Sequence, residues 1–183
     1  MKSTVVETTV LHNGWAALER RVVEVDQIAG GTARLIREVF TSGDACAVLP
    51  FDSGRGTVLL VRQYCAGADQ WMLTVCAGKL DEDDPEAAAL REAEEELGYR
   101  LAGLWHVTTS YVSPGANTER IALYLATYTA SDRVSAGGGL ASEHEDIEVL
   151  EMPLAEAISK VGTGEICDLK TIVLLQRLQQ AQS

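Results

Sequence analysis

The sequence predicts an α+β protein, in which a mixed sheet carries helices and is preceded by a small antiparallel β unit. Three observations predict it. The first forty residues alternate in short strand-like blocks; two nearly continuous apolar runs follow; and helix-forming stretches recur between later strand-like runs, too irregularly for a doubly wound βαβ repeat.

In order, the blocks VVETTVL, WAALERRVVEV and TARLIREVF are separated by the turn signals His12-Asn13-Gly14 and Ala29-Gly30-Gly31, which predicts a three-stranded meander. Thr41-Ser42-Gly43-Asp44 breaks the pattern, so a domain boundary is expected near Gly43, with 1–43 and 44–183 as the two parts. ACAVLP and GTVLLVRQY are apolar enough for buried strands of a second sheet. PEAAALREAEEEL, residues 85 to 97, is dense in helix formers, opens with Pro85 after Asp84 and closes at Gly98, as a helix should. Strands are expected at 104–110, 119–128 and 147–152, and helices at 153–162 and 169–181 behind Pro153 and Asp168. Gly137-Gly138-Gly139 and its acidic sequel are expected to form a flexible loop. Trp71, Trp105, Tyr111 and Tyr124 fall in or beside strands, where large aromatics usually fill core.

The chain has 183 residues and a net charge of −12. One core plus an appendage fits that length. The charge disfavours nucleic acid, whose affinity comes from neutralising phosphates with Lys and Arg. No uninterrupted apolar stretch long enough to span a bilayer occurs, and the N-terminus lacks a secretory apolar core, so a cytoplasmic protein without a membrane partner is expected. Cys46, Cys65, Cys76 and Cys167 form no CxxC pair, which favours reduced structural thiols over a zinc knuckle.

The chemistry concentrates in the 85–97 helix. At 3.6 residues per turn, Glu92, Glu95 and Glu96 share one face, beside an apolar stripe of Leu90, Ala93 and Leu97. Like charges so placed repel, and a divalent cation would remove the repulsion. Hard carboxylate oxygens suit Mg²⁺, which is commonly held by one or two carboxylates together with substrate phosphates. Arg91, four residues before Glu95, can pair with it and orient it. The bland alternative is a solvated acidic face.

The segment from Gly78 to Tyr99, with Arg91, Glu92, Glu95, Glu96 and Gly98 in place, resembles the Nudix box, a glycine followed by REUxEExGU with U apolar. Its loop is one residue shorter than the commonest box, with Asp83 or Asp84 where a glutamate usually stands, and a loop so shortened is a feature of the GDP-mannose pyrophosphatases of that family. CAGKLDEDDPE, SPGANTE, SAGGG, EDIEVLEMP and TGEICDLKT extend the resemblance through most of the chain.

The resemblance implies a Nudix α/β/α sandwich with a mixed sheet over 44–183, and an N-terminal dimerisation domain over 1–43, swapped in a homodimer. It implies a pyrophosphohydrolase that uses Mg²⁺, with Mn²⁺ as the other ion in view, to cleave a nucleotide sugar, GDP-mannose to GMP and mannose 1-phosphate. ADP-ribose hydrolysis and a non-catalytic nucleotide-sugar-binding protein are the alternatives. Metal ligands carried over are Ala77 through its carbonyl, Glu92, Glu96 and Glu145, with Glu95 beside them. Glu145 is the expected group to orient or deprotonate the attacking water, Glu143 being its rival, and Arg91 orients Glu95. Trp15, Arg37, Glu38, Gly78, Lys79, Glu119 and Lys170 are the expected substrate contacts. Cys65 departs from the pattern, standing where a basic residue is expected to grip substrate, and leaves base and sugar open.

Overall fold

The computed structural model describes residues 1–80, 84–140, 142 and 144–182. Asp83 and Glu143, both named above, lie outside the described residues. The chain divides into two compact units, Met1–Asp44 with Ser110–Ile121, and Ala45–Thr109 with Ala122–Ser183.

The first unit is built on the three strands that the alternating blocks predict: β1 (Ser3–Asn13), β2 (Ala17–Asp26) and β3 (Thr32–Thr41), antiparallel in the order β1-β2-β3. The register shifts twice along β1, between Val5 and Glu7 and between Val10 and His12. Every residue of β1 is exposed, including Val5, Val6, Val10 and Leu11. The segment Ser110–Ile121 joins this unit through backbone bonds around Phe40, whose N–H reaches Ala116 O at 2.8 Å and whose carbonyl accepts from Thr118 N–H at 3.1 Å.

The larger sheet contains β4 (Ala45–Asp52), β5 (Thr57–Cys65), β6 (Gln70–Thr74), β7 (Cys76–Lys79), β8 (Ala102–Tyr111), β9 (Arg120–Thr127) and β10 (Glu148–Pro153). Its path is β10-β5-β4-β9-β8, with β6 paired to β5 and β7 to β4. β10, β4 and β6 run antiparallel to β5. The carboxyl ends of β4 and β9 meet, Tyr128 N–H bonding Phe51 O at 3.3 Å, so those strands run parallel and the sheet is mixed. β4 is buried along its whole length, as its apolar run predicts. The short strands β6 and β7, which no block of the sequence marks out, leave and resume the ladder around Val75.

Among the described residues three α-helices accompany this sheet: α1 (Pro85–Glu92), α2 (Leu154–Thr163) and α3 (Leu169–Gln182). Ala88, Ala89, Ala93 and Leu97 on and after α1 pack with Cys46, Val48, Leu59, Val61 and Cys76 in one buried cluster. Small side chains there let the helix lie close on the strands.

The aromatic expectation holds at Tyr124, which is buried, and fails at Trp71, Trp105 and Tyr111, each more than half exposed. The reason is position in the sheet. β8, which carries Trp105 and Tyr111, is the terminal strand of the path, and Trp71 lies on β6, which pairs with β5 off that path. Trp71 packs edge-on against Tyr64 at 6.2 Å rather than into the core.

α3 is anchored at its start. The Asp168 carboxylate accepts from the N–H of Thr171 at 3.1 Å and from its hydroxyl at 2.5 Å, as a capping residue does. The same hydroxyl accepts from Val75 N–H at 2.9 Å, between β6 and β7. Thr171 is fully buried, so Thr171→Val orphans a buried amide and is expected to destabilise the protein by about 1–3 kcal/mol in urea unfolding.

Candidate active site

The acidic helix does not stay α-helical. α1 ends at Glu92, and Ala93–Leu97 form a π-helical turn closed by Gly98 in the left-handed region (φ 76°), where Gly98 N–H returns to Ala93 O. Such widened turns inside helices concentrate at functional sites. Ala93 and Leu97 are fully buried, and Glu96 is buried beside them with only 2% of its surface exposed.

Four consecutive-region carboxylates thus meet different surroundings. Glu94 faces outward and pairs with Arg100 at 2.9 Å, which lowers its pKa. Glu95 is held by Arg91 at 2.7 Å, the i,i+4 pair that the spacing predicts. The same guanidinium also reaches Glu92 at 2.8 Å, a contact between adjacent residues that helical spacing does not suggest. Glu96 turns inward and accepts from Ala77 N–H on β7 at 3.2 Å.

Burial pushes the Glu96 carboxyl up to about 8, and the charges of Glu92 and Glu145 add to the effect; the Cys76 thiol and the Ala77 amide oppose it. Glu92 is also raised, first by burial and then by Glu95 and Glu145, against the pull of Arg91. The neighbouring thiols stay protonated: burial raises Cys46 to about 11 and carries Cys76 well above its ordinary value. β7 supplies the floor. A Cβ at Gly78 would collide with the Glu92 carboxylate, so this position makes room for that side chain.

Among the described residues, no three His, Cys, Asp or Glu side chains form a ready-made metal cage. The donor set nevertheless fits a hard divalent cation. The charge of Glu145 bears on both Glu92 and Glu96, that of Glu92 bears on Glu96, and the Arg91 guanidinium is shared by Glu92 and Glu95. A cation that keeps waters and shares substrate phosphates needs only one or two of these carboxylates. The thiols, neutral and buried, do not suit it.

Glu145 approaches from the loop after Gly137-Gly138-Gly139. That loop, expected to be flexible, is bonded to the end of the π turn: Gly138 N–H reaches Glu96 O at 2.8 Å and Gly139 N–H reaches Glu95 O at 3.2 Å. The run of glycines marks a close approach of two backbones, a second use of the same signal. Ala77, Gly78, Lys79, Glu145 and Lys170 all lie in the larger unit with the acidic helix. Lys170 pairs with Asp168 at 2.8 Å. Cys65 lies within electrostatic reach of that pair, and burial raises its thiol pKa. Trp15, Arg37, Glu38 and Glu119 lie in the first unit, where the Ser110–Ile121 segment brings Glu119 into the same body as Arg37 and Glu38. Trp15 is 81% exposed.

A NUDIX-domain profile matches residues 41–172, the span that contains the acidic helix, its β7 floor and the Glu145 loop. The chain belongs to the NUDIX family. As a Nudix hydrolase it is similar along nearly its whole length to proteins named GDP-mannose pyrophosphatase. That of Pectobacterium atrosepticum is 42% identical over 94% of this chain and 91% of its own. That of Cronobacter sakazakii is 38% identical over 95% and 93%. A solved structure described as an ADP compounds hydrolase superposes with a TM-score of 0.77 over 98% of this chain and 94% of its own, at 18% identity, and bears out the fold.

Glu96 titrates far from an ordinary carboxyl, and the sign of its effect on stability follows. A carboxyl whose folded pKa is raised favours folding fully below its unfolded value of about 4.5, and that contribution is lost as pH rises towards about 8. In protein stripped with a chelator, stability in denaturant titrations is therefore expected to fall between those pH values. Glu96→Gln is expected to flatten the fall.

Proposed function

We propose that this Nudix hydrolase cleaves the diphosphate bond of a nucleoside diphosphate sugar, with GDP-mannose giving GMP and mannose 1-phosphate as the leading reaction. The observation that carries the proposal is the inward, buried Glu96 beside Glu92, in a chain that matches GDP-mannose pyrophosphatases along almost its full length.

Glu92, Glu96 and the Ala77 carbonyl would hold the metal, Mg²⁺ in the first instance and Mn²⁺ as the alternative. When bound, the ion supplies charge neutralisation at the phosphates and acidifies water. Arg91 holds Glu95 in place and balances part of the cluster's charge. Glu145 takes the proton of the attacking water as its oxygen bonds to one phosphorus; the bridging P–O bond breaks, and its electron pair leaves on the second phosphate. Lys79 and Lys170 supply cationic charge for the substrate phosphates. Arg37, Glu38 and Glu119 are proposed to read the nucleotide sugar, and Trp15 to stack on its base from the partner subunit. Cys65 is neutral where a cation would strengthen the grip, so ADP-ribose is the competing substrate to be ranked beside GDP-mannose.

The exposed apolar residues of β1 support a homodimer in which the first unit is exchanged, since an isolated three-stranded sheet with Val5, Val6, Val10 and Leu11 open to water invites a partner. Light scattering behind size exclusion is expected to give twice the chain mass of 19.7 kDa; a monomer would sink the exchanged arrangement. A cytoplasmic location fits the four free thiols. Among the described residues, no helix is long and apolar enough to cross a membrane.

Phosphate release from GDP-mannose, ADP-ribose and other nucleotide sugars, coupled through a phosphatase, tests the activity. Turnover is expected to require Mg²⁺ and to fall by roughly 10²–10³-fold in Glu96→Gln, in the range typical of lost electrostatic stabilisation. Equal silence of wild type and variant on every substrate would leave a binding protein in place of an enzyme.

A further inference from the structure

The carboxylate of Glu145 acts electrostatically on Glu92 and Glu96 from a loop that carries Gly137, Gly138 and Gly139, and its placement has a visible cause. Glu145 Oε2 accepts from Leu140 N–H at 2.8 Å, and Glu145 N–H returns to Leu140 O at 3.4 Å, so the carboxylate is clamped locally before any substrate is considered. The chain turns back at His144, a non-glycine residue held at φ 58°. The base of the clamp is tied to the helix through the bonds of Gly138 and Gly139 to Glu96 O and Glu95 O.

Gly139 is the point at which these constraints meet. Its φ of 79° lies in the left-handed region, and a Cβ built there would fall on the Glu145 side chain, against its carboxylate oxygen and 2.7 Å from its own Cβ. At Gly138, φ is also positive at 109°, yet a Cβ there would meet only Ile147 O, at an ordinary 3.5 Å. The two positions therefore share the backbone demand and differ in whether a side chain would displace Glu145.

We propose that Gly139 and the Leu140 amide form a seat that sets where the Glu145 carboxylate stands relative to Glu92 and Glu96, which makes Gly139 a positioning residue for the hydrolysis. The inference rests on the hydrolase reading of this same site. The seat transmits position through the backbone: the two helix-end carbonyls fix residues 138 and 139, the next amide grips the carboxylate, and an empty Cβ position leaves it space.

The test compares Gly139→Ala, Gly138→Ala, Glu145→Gln and the double variant Gly139→Ala/Glu145→Gln, each checked for folding by thermal melting. Gly139→Ala is expected to lower kcat by about 10²-fold with KM little changed, the scale of a small misplacement of a reacting group. Gly138→Ala is expected to lower Tm and to lower kcat much less than Gly139→Ala does, and in the Glu145→Gln background Gly139→Ala is expected to add no further loss. Equal losses in kcat from the two alanines, or the same fold loss with and without Glu145, would overturn the seat in favour of general damage to the loop. Mn²⁺ affinity by calorimetry gives an arm free of turnover: Gly139→Ala is expected to weaken it about tenfold, as much as Glu145→Gln and not additively with it. If wild type cleaves no nucleotide sugar, the hydrolase reading fails while this arm still decides the seat, and an unchanged affinity in Gly139→Ala overturns it.

Discussion

A carboxylate held in the interior is the constraint around which this protein is arranged. Glu96 is almost wholly removed from water, and such a group is tolerated only with hydrogen-bond partners or in its neutral form. The structure supplies both: the Ala77 amide of β7 faces it, and its pKa rises towards neutrality. To bring it there, α1 must lie close on the sheet, which the alanines at 88, 89 and 93 permit. The helix must also widen into a π turn before Gly98 ends it. β7 must pass beneath without side chains in the way, and Gly78 satisfies that demand against Glu92. Fold and chemistry are coupled at this point, since burial raises the Glu96 pKa first, and the carboxylates that add to it, Glu92 and Glu145, are ones a bound cation would neutralise.

Much of the architecture was legible along the chain because its signals are local. Alternation marked the first three strands, continuous apolar runs marked β4 and β5, and Pro85 and Gly98 bracketed the acidic helix. The π turn was not legible, because Ala-Glu-Glu-Glu-Leu has the composition of an ordinary helix and the widening arises where the helix meets β7. β6 and β7 are too short for periodicity to register, and they owe their conformation to partners already in the sheet. The exposed Trp71, Trp105 and Tyr111 show the limit of strand propensity: it finds strands and does not say which of them lie at an edge.

The site followed the same division. Glu92, Glu95 and Glu96 were marked by spacing alone, and so was the bond from Arg91 to Glu95. The second bond of Arg91, to its neighbour Glu92, was not, since adjacent helix residues do not ordinarily face each other. The glycine run before Glu145 signals freedom in the sequence, whereas the structure uses it for contact. Glycine permits both, and only the partner backbone decides between them. Only the resemblance groups Glu119 with Arg37 and Glu38; residue spacing does not, because the bonds that bring them into one unit span more than seventy residues.

That long-range stitching has a consequence for how the chain is made. The strands of the first unit leave the ribosome early, yet the unit stays incomplete until Ser110–Ile121 has been synthesised and can pair around Phe40. During that interval β3 lacks the backbone partners that Ala116 and Thr118 later provide, while the exposed valines of β1 are already present. An open strand edge in a unit that also exposes apolar surface is prone to intermolecular pairing. The segment that completes the first unit therefore also determines how long the nascent chain must be protected from its neighbours on the same messenger.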